Sequence, residues 1–174
     1  MWRLLADTVL KGPLTEAPPI ATDAELQAMA EELGRASQAR LGRSLSIREV
    51  DAGSCNGCEL EIHALNNPFH DLERYGVRFV ASPRHADVLL VTGPVTRNMA
   101  LALKRTYDAT PAPKWVVAAG DCAVGCGVFK NSPACLGAVE AVLPVDLRIS
   151  GCPPTPKQLL AGLLALLERA AGSR

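Results

Sequence analysis

Six cysteines fall into three motifs and one isolated position: Cys55-Asn-Gly-Cys58-Glu59, then Gly120-Asp-Cys122-Ala-Val-Gly-Cys126-Gly, then Cys135, then Gly151-Cys152-Pro-Pro. Each motif can follow a strand. A C-x2-C pair and two distant single cysteines brought to one sheet edge would present four thiolates, the number that holds a 4Fe-4S cube and equips a chain for one-electron transfer. Thiolates gathered without a cation repel one another and lose hydration, so convergence calls for bound metal. In the middle motif Cys122 directly follows the strand, and Cys126, four residues on, is the other thiol that could take its place. The C-x2-C pair alone would read equally well as a zinc knuckle. Zinc sites usually use two paired motifs, however, and the second pair here would have to be C-x3-C with Cys152 left over. Cys135 reads as a small buried hydrophobe. Loop glycines at 53, 57, 120, 125, 127 and 151 permit sharp turns and let backbone amides approach the sulfurs.

Other reactive side chains give weaker signals. Glu59 and Glu61 read as exposed helix carboxylates, with proton movement near the thiolates as the alternative. His63 and His70 read as helix-surface residues. His85, in Pro83-Arg-His-Ala-Asp87, is either satisfied by its own loop or placed near the thiolates or at a subunit interface. Gly120 to Gly127 resembles a phosphate nest, but a flavin loop needs small hydroxyl residues and free amides, not thiols. Thr92-Gly-Pro-Val-Thr96 suits an anion better, and its plainer reading is a strand-to-helix turn.

The elements that must position the thiols follow from apolar periodicity. From Ser44 onward short apolar strands alternate with helices, the pattern of a parallel sheet covered on both faces. Strands are expected at Leu45 to Val50, Val77 to Val80, Asp87 to Thr92, Lys114 to Ala119 and Val142 to Ile149. Helices are expected at Glu59 to Leu65, Phe69 to Tyr75 and Arg97 to Tyr107, with a last helix capped by Thr155 and opened by Pro156. Val88-Leu-Leu-Val91 is the continuous apolar run of a strand buried on both sides. Sites in such sheets form beyond the carboxyl ends of the strands, where the thiol motifs fall. Upstream, Thr22 and Glu25 read as a capping box opening a helix to Leu41, with Leu26, Met29, Ala30 and Leu33 on one face. Residues 1–20 read as an arm: Trp2, Leu5 and Val9 recur at helical spacing before Gly12, Pro13, Pro18 and Pro19 break it. The expected division is therefore 1–43, arm and helix that dock a partner, and 44–174, the thiol-bearing domain.

At 174 residues with 48% hydrophobic side chains, the chain can fill one sizeable core. Eighteen acidic and eighteen basic residues give a formal net charge of zero, which supplies no electrostatic case for nucleic acid. No stretch approaches the roughly 18–20 apolar residues of a membrane span. The N-terminal residues show no export signal, so the expected location is cytoplasmic, where reducing conditions favour metal over disulfides.

The motifs together resemble the small-subunit family shared by nickel-iron hydrogenases and the 20 kDa cluster subunit of respiratory complex I. The resemblance runs from about Ile47 to Leu167. It rests on Ser54-Cys-Asn-Gly-Cys-Glu-Leu-Glu-Ile62, Ser82 through Thr96, Gly120-Asp-Cys-Ala123 and Gly151-Cys-Pro-Pro154. It is strongest toward small subunits of membrane-associated, energy-converting hydrogenases of the formate hydrogenlyase type. The resemblance implies a flavodoxin-like domain with one 4Fe-4S cluster on Cys55, Cys58, Cys122 and Cys152. It also implies packing against a nickel-iron large subunit, electron exchange with a ferredoxin-like multi-cluster subunit, and attachment through integral membrane subunits at the cytoplasmic face.

Three departures matter. Complex I relatives begin the first motif with adjacent cysteines, whereas Asn56-Gly57 separates them here, the hydrogenase-like arrangement. Exported small subunits carry further clusters and a twin-arginine signal, neither of which is in this sequence. Position 126 is cysteine where the family pattern has glycine. The rival expectations are a quinone-reducing complex I-like subunit and a subunit of a complex that lacks a nickel-iron site.

Overall fold

The computed structural model describes residues 24–172. The Trp2, Leu5 and Val9 stripe and the Thr22 half of the capping box lie outside the described residues. Helix α1 spans Ala24–Leu41 and buries Leu26, Ala30, Leu33 and Ser37, a stripe at helical spacing. Strand β1, Leu45–Asp51, leads to α2, Gly57–Ala64; then come β2, Val77–Phe79, β3, Val88–Thr92, and β4, Val95–Thr96. Helix α3 spans Arg97–Ala109, β5 Trp115–Ala119, α4 Asp121–Gly125, β6 Cys135–Gly137, β7 Leu147–Ile149 and α5 Pro156–Gly172.

Five strands pair in parallel in the order β2-β1-β3-β5-β7. This is the flavodoxin-like winding of a doubly covered sheet, as expected. β3 is central and buried throughout, in keeping with its unbroken apolar run. One face carries the core formed with α1, α2 and α5, including Leu33, Ile62, Leu90, Val117 and Leu163. The other packs Leu89, Val91, Val116 and Ala118 against Leu103 of α3, Ala123 of α4 and Val139. At the amino end of the sheet, Asp87 accepts two hydrogen bonds from the Arg43 guanidinium, at 2.5 and 2.9 Å, and one from the Ser46 amide at 2.9 Å. The Thr155 and Gln158 pair caps α5 reciprocally, the amide of each donating to the other's side chain at 2.8 and 3.3 Å.

Three expectations change. The strand expected from Val142 shrinks to β7, because Pro144 offers no N–H to a ladder and Asp146 instead takes the Val116 amide on its carboxylate at 2.7 Å. The helix expected from Phe69 shrinks to a 3-10 turn at Leu72–Tyr75: Asn67 holds the amides of Phe69 and His70 at 2.9 Å, and Asp71 turns left-handed at φ 42. Finally, β4 and β6 form a small antiparallel sheet that periodicity did not reveal. Two- and three-residue strands are too short to show alternation.

Candidate metal centre

The loops that follow the parallel strands are shaped by local hydrogen bonds. After β1, Asp51 Oδ1 accepts the amides of Gly53 and Ser54, both at 2.7 Å, which turns the chain so that Cys55 begins the approach to α2. After β5 and β7, the amide of Asp121 donates to the Gly151 carbonyl at 2.8 Å, and the Gly151 amide returns a bond to Asp121 Oδ1 at 2.8 Å. The Cys122 and Cys152 loops are thereby locked side by side.

Cys55, Cys58, Cys122 and Cys152 line one cavity at this carboxyl rim, together with Ser54, Gly93, Asp121, Gly151 and Pro153. It encloses about 420 Å³, counting its open mouth. Cys58 and Cys122 are buried, whereas Cys55 and Cys152 are exposed. Two glycines make room for the inner sulfurs. A Cβ on Gly120, at φ +92, would stand 2.6 Å from Cys58 Sγ, and one on Gly127, at φ +47, 2.8 Å from Cys122 Sγ. Both close approach and left-handed backbone exclude a side chain there.

Electrostatics separate this cavity from an ordinary core. Burial, then Glu59, then the other three cysteines push the Cys58 thiol up to about 12. Cys122 is also raised, first by burial and then by Cys152, against a hydrogen bond from the Val128 amide that favours its thiolate. Among the described residues, no lysine or arginine lines the cavity to offset four thiolates. The chemistry of this donor set fits a bound cationic group that would displace the protons. No three His, Cys, Asp or Glu side chains among the described residues converge closely enough for one metal ion. A cube of irons spreads its thiolates wider than a single zinc, which sits about 2.3 Å from each sulfur.

Cys126 and Cys135 do not line the cavity. Cys126 follows α4 at φ 66, its amide donating to the Cys122 carbonyl at 2.9 Å. That left-handed turn is where glycine is ordinarily favoured. Cys135 lies on β6. His63 and His85 are exposed and do not line the cavity. His70 is in a half-buried turn rather than on a helix surface, its Nδ1 2.8 Å from the Ala64 carbonyl. Thr92 to Thr96 forms the end of β3, a turn and β4.

Glu59 overturns its expectation of exposure. It is 7% exposed, and one carboxylate oxygen accepts the Thr92 hydroxyl. The reason is tertiary: the first turn of α2 lies over the carboxyl end of β3. The helical spacing from Glu59 to buried Ile62 was the available signal.

The comparisons with known proteins agree with this architecture. The family model for the 20 kDa subunit of NADH ubiquinone oxidoreductase matches residues 55–166. Over 131 residues the chain is 47% identical to the probable membrane-bound hydrogenase subunit mbhJ of Pyrococcus furiosus, covering 75% of this chain and 78% of that protein. Over 159 residues it is 40% identical to formate hydrogenlyase subunit 7 of Escherichia coli, covering 90% of this chain and 61% of that one. Among solved structures, a chain of the membrane-bound sulfane sulfur reductase, an archaeal respiratory membrane complex, superposes with a TM-score of 0.68 at 30% identity. That match spans 83% of this chain and 77% of the other. These relatives are subunits of oxidoreductase complexes, and no described helix here is long and apolar enough to cross a membrane. The chain belongs to the family of the 20 kDa subunit of NADH ubiquinone oxidoreductase.

Proposed function

We propose that this chain is the electron-transfer small subunit of a membrane-associated nickel-iron hydrogenase, with one 4Fe-4S cluster on Cys55, Cys58, Cys122 and Cys152. The observation that carries the proposal is the shared cavity of four cysteines from three distant segments. When bound, the cluster supplies outer-sphere, one-electron chemistry. The chain's own part is to hold it: α2 and α4 supply the two buried thiols, the Asp121 to Gly151 lock fixes the loops, and Gly120 and Gly127 let the chain close around the inner sulfurs. No residue of this chain needs to act as nucleophile or general acid.

Assignment to the hydrogenase branch is supported by Asn56-Gly57 between the first two cysteines and by likeness to subunits named for membrane-bound hydrogenase and formate hydrogenlyase. In this reading dihydrogen is made or cleaved in a nickel-iron large subunit, and a ferredoxin-like multi-cluster subunit exchanges electrons with this chain. Integral membrane subunits hold the assembly at the cytoplasmic face. Leu60 and Val128, 61% and 84% exposed, flank the thiol motifs and suit a protein surface packed over the site. In this reading residues 1–20 serve docking, while α1 packs into the core of the cluster domain that 44–174 form.

A second reading, a cluster subunit of a complex without nickel, is favoured by the family description and by the likeness to a sulfane sulfur reductase chain. Iron and labile sulfide analysis of the anaerobically purified chain tests the cluster: about four of each per chain is the expected result, and a single zinc overturns it. Nickel in the co-purified large subunit decides between hydrogenase and its rival.

A further inference from the structure

Glu59 is placed at a cost that folding alone does not explain. It occupies the first turn of α2, immediately after Cys58, and is 7% exposed. The Thr92 hydroxyl donates to Oε1, but Oε2 is buried with no hydrogen-bond partner among the described residues. A buried acceptor left unmatched destabilises a fold and asks for a functional reason. The charge of Glu59 also reaches β1, where the Glu49 carboxyl is pushed up by its own burial and then by Glu59. Glu61, two residues along the helix, is only half-buried and better screened.

We propose that Glu59 is a positioning residue that lowers the reduction potential of the group held at Cys58, with the Thr92 hydroxyl moderating its charge. Reduction adds one electron, and so one unit of negative charge, beside a carboxylate that water screens poorly. The oxidised state is favoured accordingly. The inference rests on the cluster reading above.

The test is a redox titration of the full chain, followed by electron paramagnetic resonance. Glu59→Gln keeps an oxygen for Thr92 and removes the charge; the midpoint moves upward while iron content stays at the wild-type level. Glu61→Gln moves it far less. Thr92→Val removes the donor, leaves the charge unmoderated and moves the midpoint downward. Opposite signs from two partners of one hydrogen bond are not the mark of a merely structural role. A Glu59→Gln midpoint equal to wild type, or shifted no more than that of Glu61→Gln, overturns the proposal. Should Glu59→Gln fail to hold iron, the sign for Thr92→Val decides, and an upward shift overturns it. A wild-type chain with no iron-sulfur signal overturns the cluster reading itself, and this inference with it.

Discussion

The two ends of the central sheet handle buried polar groups in opposite ways. At the amino end, Asp87 meets both arms of Arg43 and the Ser46 amide, so its charge is matched within the chain. At the carboxyl end, Cys58 and Cys122 share a cavity with two further thiols, Glu59 Oε2 has no hydrogen-bond partner among the described residues, and no lysine or arginine among them lines the cavity. The amino end is complete in itself and contributes stability. The carboxyl end has the unbalanced donor set that a protein keeps for a group it does not encode.

Substitutions at the two ends break this contrast in different observables. The largest effect is expected from Gly120→Ala, which drives a methyl to 2.6 Å from Cys58 Sγ at φ +92. It loses most of its iron, measured per chain after anaerobic purification, and costs about 1–3 kcal/mol of stability. Gly125→Ala, where an added Cβ meets nothing within 4 Å, keeps its iron and serves as the control. Next comes Asp87→Ala at the amino end. It costs about 1–3 kcal/mol in denaturant unfolding, below the range for a fully buried pair because Arg43 is half exposed, and leaves iron content unchanged. Equal iron loss from Asp87→Ala would erase the contrast. The smallest effect is expected from Cys126→Gly, which relieves a left-handed residue at φ 66 while losing a buried thiol. Its stability stays within about 1 kcal/mol of wild type and its iron content does not change. Iron loss there would move the ligand assignment from Cys122 toward Cys126.

Much of the scaffold was legible because its signals are local. The Val88 to Val91 run marked the central strand, Thr155 and Pro156 marked the start of α5, and the strand-helix alternation marked the winding. What failed was also local in cause. Val142 to Ile149 reads as one strand, yet Pro144 and the Asp146 side chain divert its first half from the sheet. Asn67 holds a turn at Phe69 and His70, where a second helix was expected to begin. The short strands β4 and β6 carry too few residues for any period to show.

The thiol motifs, their places after strands, and the expectation of a cubane rather than a paired-motif zinc site were matters of residue type and spacing, which the chain carries whether folded or not. Which thiols share a cavity was decided only in three dimensions, because Cys122 and Cys126 sit four residues apart and differ by the left-handed turn between them. The fate of Glu59 was decided there too. A carboxylate on a short helix is exposed or buried according to what lies beneath its first turn, and here that is the end of β3, brought from more than thirty residues away with the Thr92 hydroxyl facing the acid.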